Sequence, residues 1–324
     1  MKLATLPGPT PDGRLVVVSR DLRQAIDASG IAPTLQHALD TWDEASPRLG
    51  ALAEELASGA AEAFAFDSSA ALAPLPRAWQ WLDASAFESH GKLMAQVFGI
   101  EDPSRETPLM YQGMSHRFYS PTADVPFRSE ADGIDFEGEF AVITDSVPMG
   151  TSAGDAGNHI KLIAQVNDWS LRTIAPVEMK TGFGWIQAKP ACSMAPVVVT
   201  PDELGESWRD GRVALDLHVE WNGRWFGNPN GYPMGFSFPE LVSHAAGTRD
   251  LCAGTIIGSG TVSNEDFREL GSTCIAERRG IEMVDQSAPA TEFMRFGDRV
   301  RMEARSADGS AIFGAIDQCI RRWG

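Results

Sequence analysis

The chain has 324 residues, 43% hydrophobic, 22% charged and 9% aromatic, enough to bury one large core or one large and one small. Lys and Arg total 27 against 44 Asp and Glu, a formal charge of −17 with no basic block to offset it, which argues against nucleic acid and anionic membrane as partners. No apolar run approaches the ~18 residues of a membrane-spanning helix, Pro7 interrupts the N-terminus before a signal-peptide core, and four dispersed cysteines read as buried thiols, so the expectation is a cytoplasmic globular protein.

In chain order, Pro11-Asp12-Gly13 ahead of the β-branched run Val16 to Val18 predicts a hairpin. Two amphipathic helices follow, over Thr34–Trp42 and Arg48–Ala61, from apolar residues at helical spacing. The small-residue and proline stretch Ser68 to Pro76 reads as a linker and divides the chain into a small N-terminal domain, 1–72, and a larger domain, 73–324. Beyond it, apolar runs at 139–143, 162–166, 196–200, 213–219 and 253–257 alternate with Gly, Pro and Asn clusters, the pattern of a β-rich body with few long helices.

The residues that carry chemistry lie in that body. Asp83 precedes His90 by seven residues, two turns if the stretch is helical. On a strand, Glu137 and Glu139 of Asp135-Phe-Glu-Gly-Glu-Phe140 point to the same face, either a solvated sheet surface or a pair of carboxylates converging on a cation. Asp168 interrupts an apolar run, and a buried acid needs a cation or donor beside it. Oxygen donors without clustered His or Cys suit Mg²⁺ or Ca²⁺ better than zinc. Arg172 would be an ordinary i,i+4 partner of Asp168 on a helix, and Lys189 taken alone a surface lysine. Gly150-Thr-Ser-Ala-Gly154 has the letters of a nucleophile elbow, but Pro148 stands where the preceding strand should be.

Taken in order, Phe136-Glu-Gly-Glu-Phe140, Asn167-Asp-Trp-Ser-Leu-Arg172, Lys189-Pro190, Gly254-Thr-Ile-Ile-Gly-Ser-Gly-Thr-Val-Ser-Asn264 and Phe296-Gly-Asp-Arg-Val-Arg301 resemble the fumarylacetoacetate hydrolase family from about residue 75 onward. The N-terminal part is similar to the small cap of the longer bacterial members. The resemblance implies an α+β, β-dominated fold, a mixed β-sandwich or β-roll with a small N-terminal domain, usually as a homodimer. It implies a divalent cation, Mg²⁺ or Ca²⁺ with Mn²⁺ as a further option, on Asp83, Glu137, Glu139 and Asp168. It makes His90 the general base with Glu277 as partner, Arg172 and Lys189 the cationic substrate groups, and Tyr111 and Thr255 substrate contacts.

The implied activity is hydrolysis of a C–C bond in an anionic 1,3-diketo acid of the fumarylacetoacetate or acylpyruvate type, in aromatic or tyrosine catabolism. Such chemistry needs an activated water and a stabilised enolate leaving group, which a His–Glu pair, a divalent cation and fixed positive charge supply. The chain departs from the family pattern in three places: the Asp168–Lys189 interval is one residue longer, Ala175 and Pro176 stand where a substrate-binding glutamine is expected, and an arginine after the histidine is missing. Decarboxylation of oxaloacetate, hydration or isomerisation of a 2-oxo dicarboxylic acid are alternatives on the same platform. A non-catalytic keto-acid or metal-binding protein is a more distant one.

Overall fold

The computed structural model describes residues 1–60, 62–98 and 106–324. The expected hairpin forms from strands Lys2–Leu6 and Arg14–Val18, with Lys2 opposite Val18 and Leu6 opposite Arg14. The first helix is shorter than the periodicity suggests, Leu35–Asp40, and the second is longer at its start, Trp42–Ser58, running through Pro47. It stops at Gly59, whose φ of 72° turns the backbone left-handed and lets its N–H close on the Glu55 and Leu56 carbonyls. Its last expected residue, Ala61, lies outside the described residues.

The N-terminal strands are joined to the larger part by backbone pairing. Lys2–Leu6 pairs antiparallel with Val197–Val199, so they extend an 11-stranded mixed sheet whose other half contains Ile160–Asn167, Gly138–Thr144, Ile256–Gly258, Trp81–Ala84 and Met110–Gly113. The pairing of Ile256–Gly258 with Trp81–Ala84 is parallel, and Gly138–Thr144 is antiparallel to both of its neighbours. A second sheet of five strands includes Asp216–Trp221, Arg299–Arg305 and Ile316–Arg322. The result is the mixed, β-dominated architecture anticipated from the turn-punctuated apolar runs.

Side-chain alternation divides the core in two. Val142, Ile163 and Val197 of the large sheet pack with Leu217, Val219, Val300 and Met302 of the small one. The intervening residues, Ala141, Ile143, Leu162 and Val198, face the N-terminal helices through Leu35, Leu39 and Leu49. Leu3, fully buried, belongs to this second layer. Two cysteines depart from expectation. Cys192 and Cys274 are buried, but Cys252 is exposed in the turn before Ile256 and Cys319 is half-buried on the outward side of its strand. Because one sheet crosses the linker, Leu3→Ala removes contacts on the side facing the helices and costs about 2–5 kcal/mol. Denaturant titration is expected to show the loss as a lower midpoint in a single transition of the whole chain.

Candidate active site

The alternation that builds the helix-facing layer also assembles the centre. Trp81, Ala141 and Val166 belong to that layer, and Asp83, Glu139 and Asp168 each stand two residues from one of them, on the same face. There the apolar packing gives way to three carboxyl groups, all buried, with one oxygen from each within 4.8 Å of the others. Asp83 and Glu139 are not on neighbouring strands. Ile256–Gly258 runs between theirs and sets Gly258 opposite both Asp83 and Ala141. The missing side chain lets the two carboxyls meet, since a Cβ on Gly258 would lie 2.4 Å from Asp83 Oδ1 and 3.1 Å from Glu139 Oε2.

Three acids in one dry place repel one another. Burial, and after it the charges of Asp83 and Asp168, push Glu139 well above the usual carboxylate range. Burial and the charge of Asp168 do the same to Asp83. Asp83 Oδ1 receives the Gly260 N–H at 3.1 Å, whereas the buried oxygens of Glu139 meet no amide, hydroxyl or cationic donor among the described residues and have only the Asp83 carboxyl beside them. Lone pairs left free in an all-oxygen cluster fit a divalent cation, and these residues could hold one.

Glu137 has a different setting. Its Oε1 contacts Lys189 Nζ at 2.7 Å and Arg172 Nη2 at 2.9 Å and accepts the Ser170 hydroxyl, while Oε2 accepts the Thr261 hydroxyl. Burial works against its charge, yet the two cations outweigh it and hold the carboxyl far below its ordinary range. Glu137 is thus an anion satisfied by protein groups, while Glu139 is left open.

Lys189 also reaches Asp168 Oδ2 at 2.6 Å, where Tyr111 donates its hydroxyl at 2.7 Å; the Cys192 thiol meets Oδ1 at 3.0 Å. Burial disfavours the Lys189 and Arg172 cations, but the surrounding carboxylates reverse this and raise both. The segment before Lys189 is held by Glu178, whose carboxylate accepts the N–H groups of Ile186, Gln187 and Ala188 at 3.1, 2.9 and 3.0 Å. Arg172 follows a short strand, Ser170–Leu171, rather than lying one helical turn after Asp168, and its guanidinium turns to Asp135 and Glu137.

Asp83 and His90 share no helix face, because Asp83 lies within the strand Trp81–Ala84 and the helix Glu88–Phe98 begins five residues after it. His90 Nδ1 instead stands 3.4 Å from Oε1 of Glu277, a fully buried glutamate on the helix Ile275–Gln286. Thr255 is not brought to the carboxyls. Its hydroxyl donates to the Cys252 carbonyl at 2.7 Å, within the turn ahead of its strand. The threonine that reaches the centre is Thr261, in the second Gly-Thr pair of the same segment. Ser170, Cys192 and Asp135 also belong to the network and were not anticipated. Asp135 carried one legible sign, its place two residues before Glu137, whereas Cys192 carried none.

Comparison with known proteins identifies the family. The family description "Fumarylacetoacetate (FAA) hydrolase C-terminal" matches residues 80–321 and "Fumarylacetoacetase N-terminal domain 2" matches residues 1–77. A 2,4-didehydro-3-deoxy-L-rhamnonate hydrolase of Sphingomonas sp. (strain SKA58) is 26% identical over 181 residues, 53% of this chain and 61% of that protein. Oxaloacetate tautomerase YisK of Bacillus subtilis (strain 168) is 31% identical over 130 residues, 40% of this chain and 41% of that one. The match thus spans less than two thirds of either relative. A solved maleylpyruvate hydrolase from Sphingobium sp. SYK-6 superposes with a TM-score of 0.66 at 15% identity over 100% of both chains. Its complex with manganese(II) and pyruvate gives 0.64 at 16%, again over 100% of both chains. At such identity these structures share the fold. With family matches covering both its parts, the chain belongs to the fumarylacetoacetate hydrolase family.

Proposed function

We propose that the protein is a cation-dependent hydrolase that cleaves the C–C bond of a 1,3-diketo acid of the acylpyruvate or fumarylacetoacetate type. The observation that supports this reading is the buried carboxyl cluster of Asp83, Glu139 and Asp168 in a chain that also sets His90 against the buried Glu277. Asp83, Glu139 and Asp168 would hold the cation, Mg²⁺, Ca²⁺ or Mn²⁺, with Glu137 beside them. When bound, such an ion supplies Lewis-acid stabilisation of enolate charge.

The chain's own groups do the rest. Nδ1 of His90 faces Glu277, which leaves Nε2 to take a proton from a water. A distance of 3.4 Å suits a pair that tightens once substrate excludes solvent. The water oxygen bonds to the acyl carbon, the bond from that carbon to the methylene carbon breaks, and its electron pair passes to the departing enolate. His90 then returns the proton to that carbon. Products are one carboxylic acid and one 2-oxo acid. Lys189 and Arg172 place fixed positive charge for an anionic substrate in a chain whose net charge is −17, and Tyr111 borders the same place. The stretch 31% identical to an oxaloacetate tautomerase supports a second reading, proton transfer on a 2-oxo acid without hydrolysis.

Substrate assays separate the two. Loss of the enol absorbance of an acylpyruvate with recovery of two acids is the hydrolytic outcome, and recovery of one unbroken 2-oxo acid is the other. On the hydrolytic reading, His90→Ala lowers kcat by about 10²–10⁴-fold while Mn²⁺ binding, followed by titration calorimetry, is retained.

The carboxyl cluster makes a further prediction. Asp83 and Glu139 hold protons in the folded chain that they release in the unfolded chain, so stability contributed by this pair falls as pH rises above the ordinary carboxylate range. Metal-free protein is expected to melt at progressively lower temperature as pH is raised out of the ordinary carboxylate range. Mn²⁺ at roughly a hundredfold excess over its Kd restores about 2.7 kcal/mol. Gly258→Ala, which crowds Asp83 and Glu139 apart, weakens that Mn²⁺ binding by roughly 10–100-fold in the same titration.

A further inference from the structure

The helix that carries Glu277 begins poorly by its own sequence. Its N-cap is Cys274, whose sulfur accepts the Glu277 N–H at 3.3 Å, and a thiol is a weak acceptor. The next amides are satisfied from far away in the chain. Asp135, fully buried, accepts Ile275 N–H on Oδ1 at 2.7 Å and Ala276 N–H on Oδ2 at 2.9 Å. The same Oδ2 accepts Arg172 Nε at 2.8 Å, and Arg172 continues to Glu137 at 2.9 Å. Glu137 leads through Lys189 to Asp168.

One carboxylate therefore joins two parts of the centre. On one side are the first turn of the helix and Glu277, which faces His90. On the other is the cationic bridge that ends at the carboxyl cluster. We infer that Asp135 is a positioning residue that holds the His90–Glu277 pair in register with the Arg172–Glu137–Lys189 bridge, beyond its service as a helix cap. The inference rests on the proposed roles of His90 and Glu277. In Asp135→Asn an amide NH₂ replaces an acceptor, so it cannot receive all three donors at once. With its oxygen toward Ile275 the amide loses Arg172 and Ala276, and with its oxygen toward Arg172 it loses Ile275, so the three-way link is broken in either orientation.

Two full-length variants separate capping from registration: Asp135→Asn, and Asp135→Asn combined with Cys274→Ser, which supplies a better local cap. Asp135→Asn is expected to lower kcat on an acylpyruvate by about 10–100-fold, with KM and Mn²⁺ affinity unchanged. The double variant regains melting temperature but not kcat. In both, the imidazole ¹⁵N signals of His90, identified by their loss in His90→Gln, move from their wild-type positions without substrate or metal.

Wild-type kcat in Asp135→Asn overturns the inference. So does recovery of kcat together with melting temperature in the double variant, which would make Asp135 a cap alone, or a fall of Mn²⁺ affinity in step with kcat. Failure of both variants to fold overturns it too, in favour of a purely structural role. If the wild type turns over no keto acid, the proposed function fails by itself, and the His90 signals still decide whether Asp135 governs that pair.

Discussion

Asp83, Glu139 and Asp168 bring three buried carboxyls to one point, and such a set is stable only if something offsets the repulsion and the lost hydration. The fold offsets it unevenly. Asp168 receives an ammonium, a phenol and a thiol, and Asp83 receives a backbone amide, but Glu139 has only the neighbouring Asp83 carboxyl among the described residues. Burial and the neighbouring charges push the Asp83 and Glu139 carboxyls well above the ordinary carboxylate range, which favours their protonated forms.

The neighbouring Glu137 clarifies why two acids one residue apart differ so much. Both are buried, and both lie where the strand Gly138–Thr144 begins. Glu137 meets the two cations that bracket the segment from Arg172 to Lys189, together with two hydroxyls, while Glu139 lies beside Asp83 over Gly258. One acid anchors the fixed cations, and the other remains free to ligate. That division sets positive side chains beside the cluster, where Lys189 meets Asp168 but neither cation reaches Glu139.

Much of this was legible in the sequence, for identifiable reasons. Strand alternation makes Glu137 and Glu139 neighbours on a face, and burial of an acid in an apolar run marks Asp168; both are local properties. The Asp83–His90 interval was legible as a spacing but not as a shape, since a strand, a turn and a helix start lie within it. Thr255 and Thr261 sit in two Gly-Thr pairs six residues apart, and only the turn geometry shows which hydroxyl is spent on Cys252. Asp135 and Cys192 act through contacts about 140 and 24 residues distant, which no periodicity announces. The break at Ser68 to Pro76 looks like a linker in composition, yet hydrogen bonds between Lys2–Leu6 and Val197–Val199 carry the sheet past it.

That continuity bears on the site. Val197–Val199 lies between the N-terminal hairpin and Ile160–Asn167, the strand that leads into Asp168. Ile160–Asn167 in turn pairs with Gly138–Thr144, setting Val166 opposite Glu139. Displacement of the N-terminal strands would thus open an edge one strand away from the acid-bearing pair, and the helices packed on Leu162 and Val198 would leave with them. The small N-terminal part works as the flank that keeps the carboxyl-bearing strands in a sheet interior, where their acids stay dry. Dryness is the source of both the repulsion within the cluster and the strength of the Lys189 and Arg172 contacts, so the N-terminal strands and the charged network are parts of one constraint.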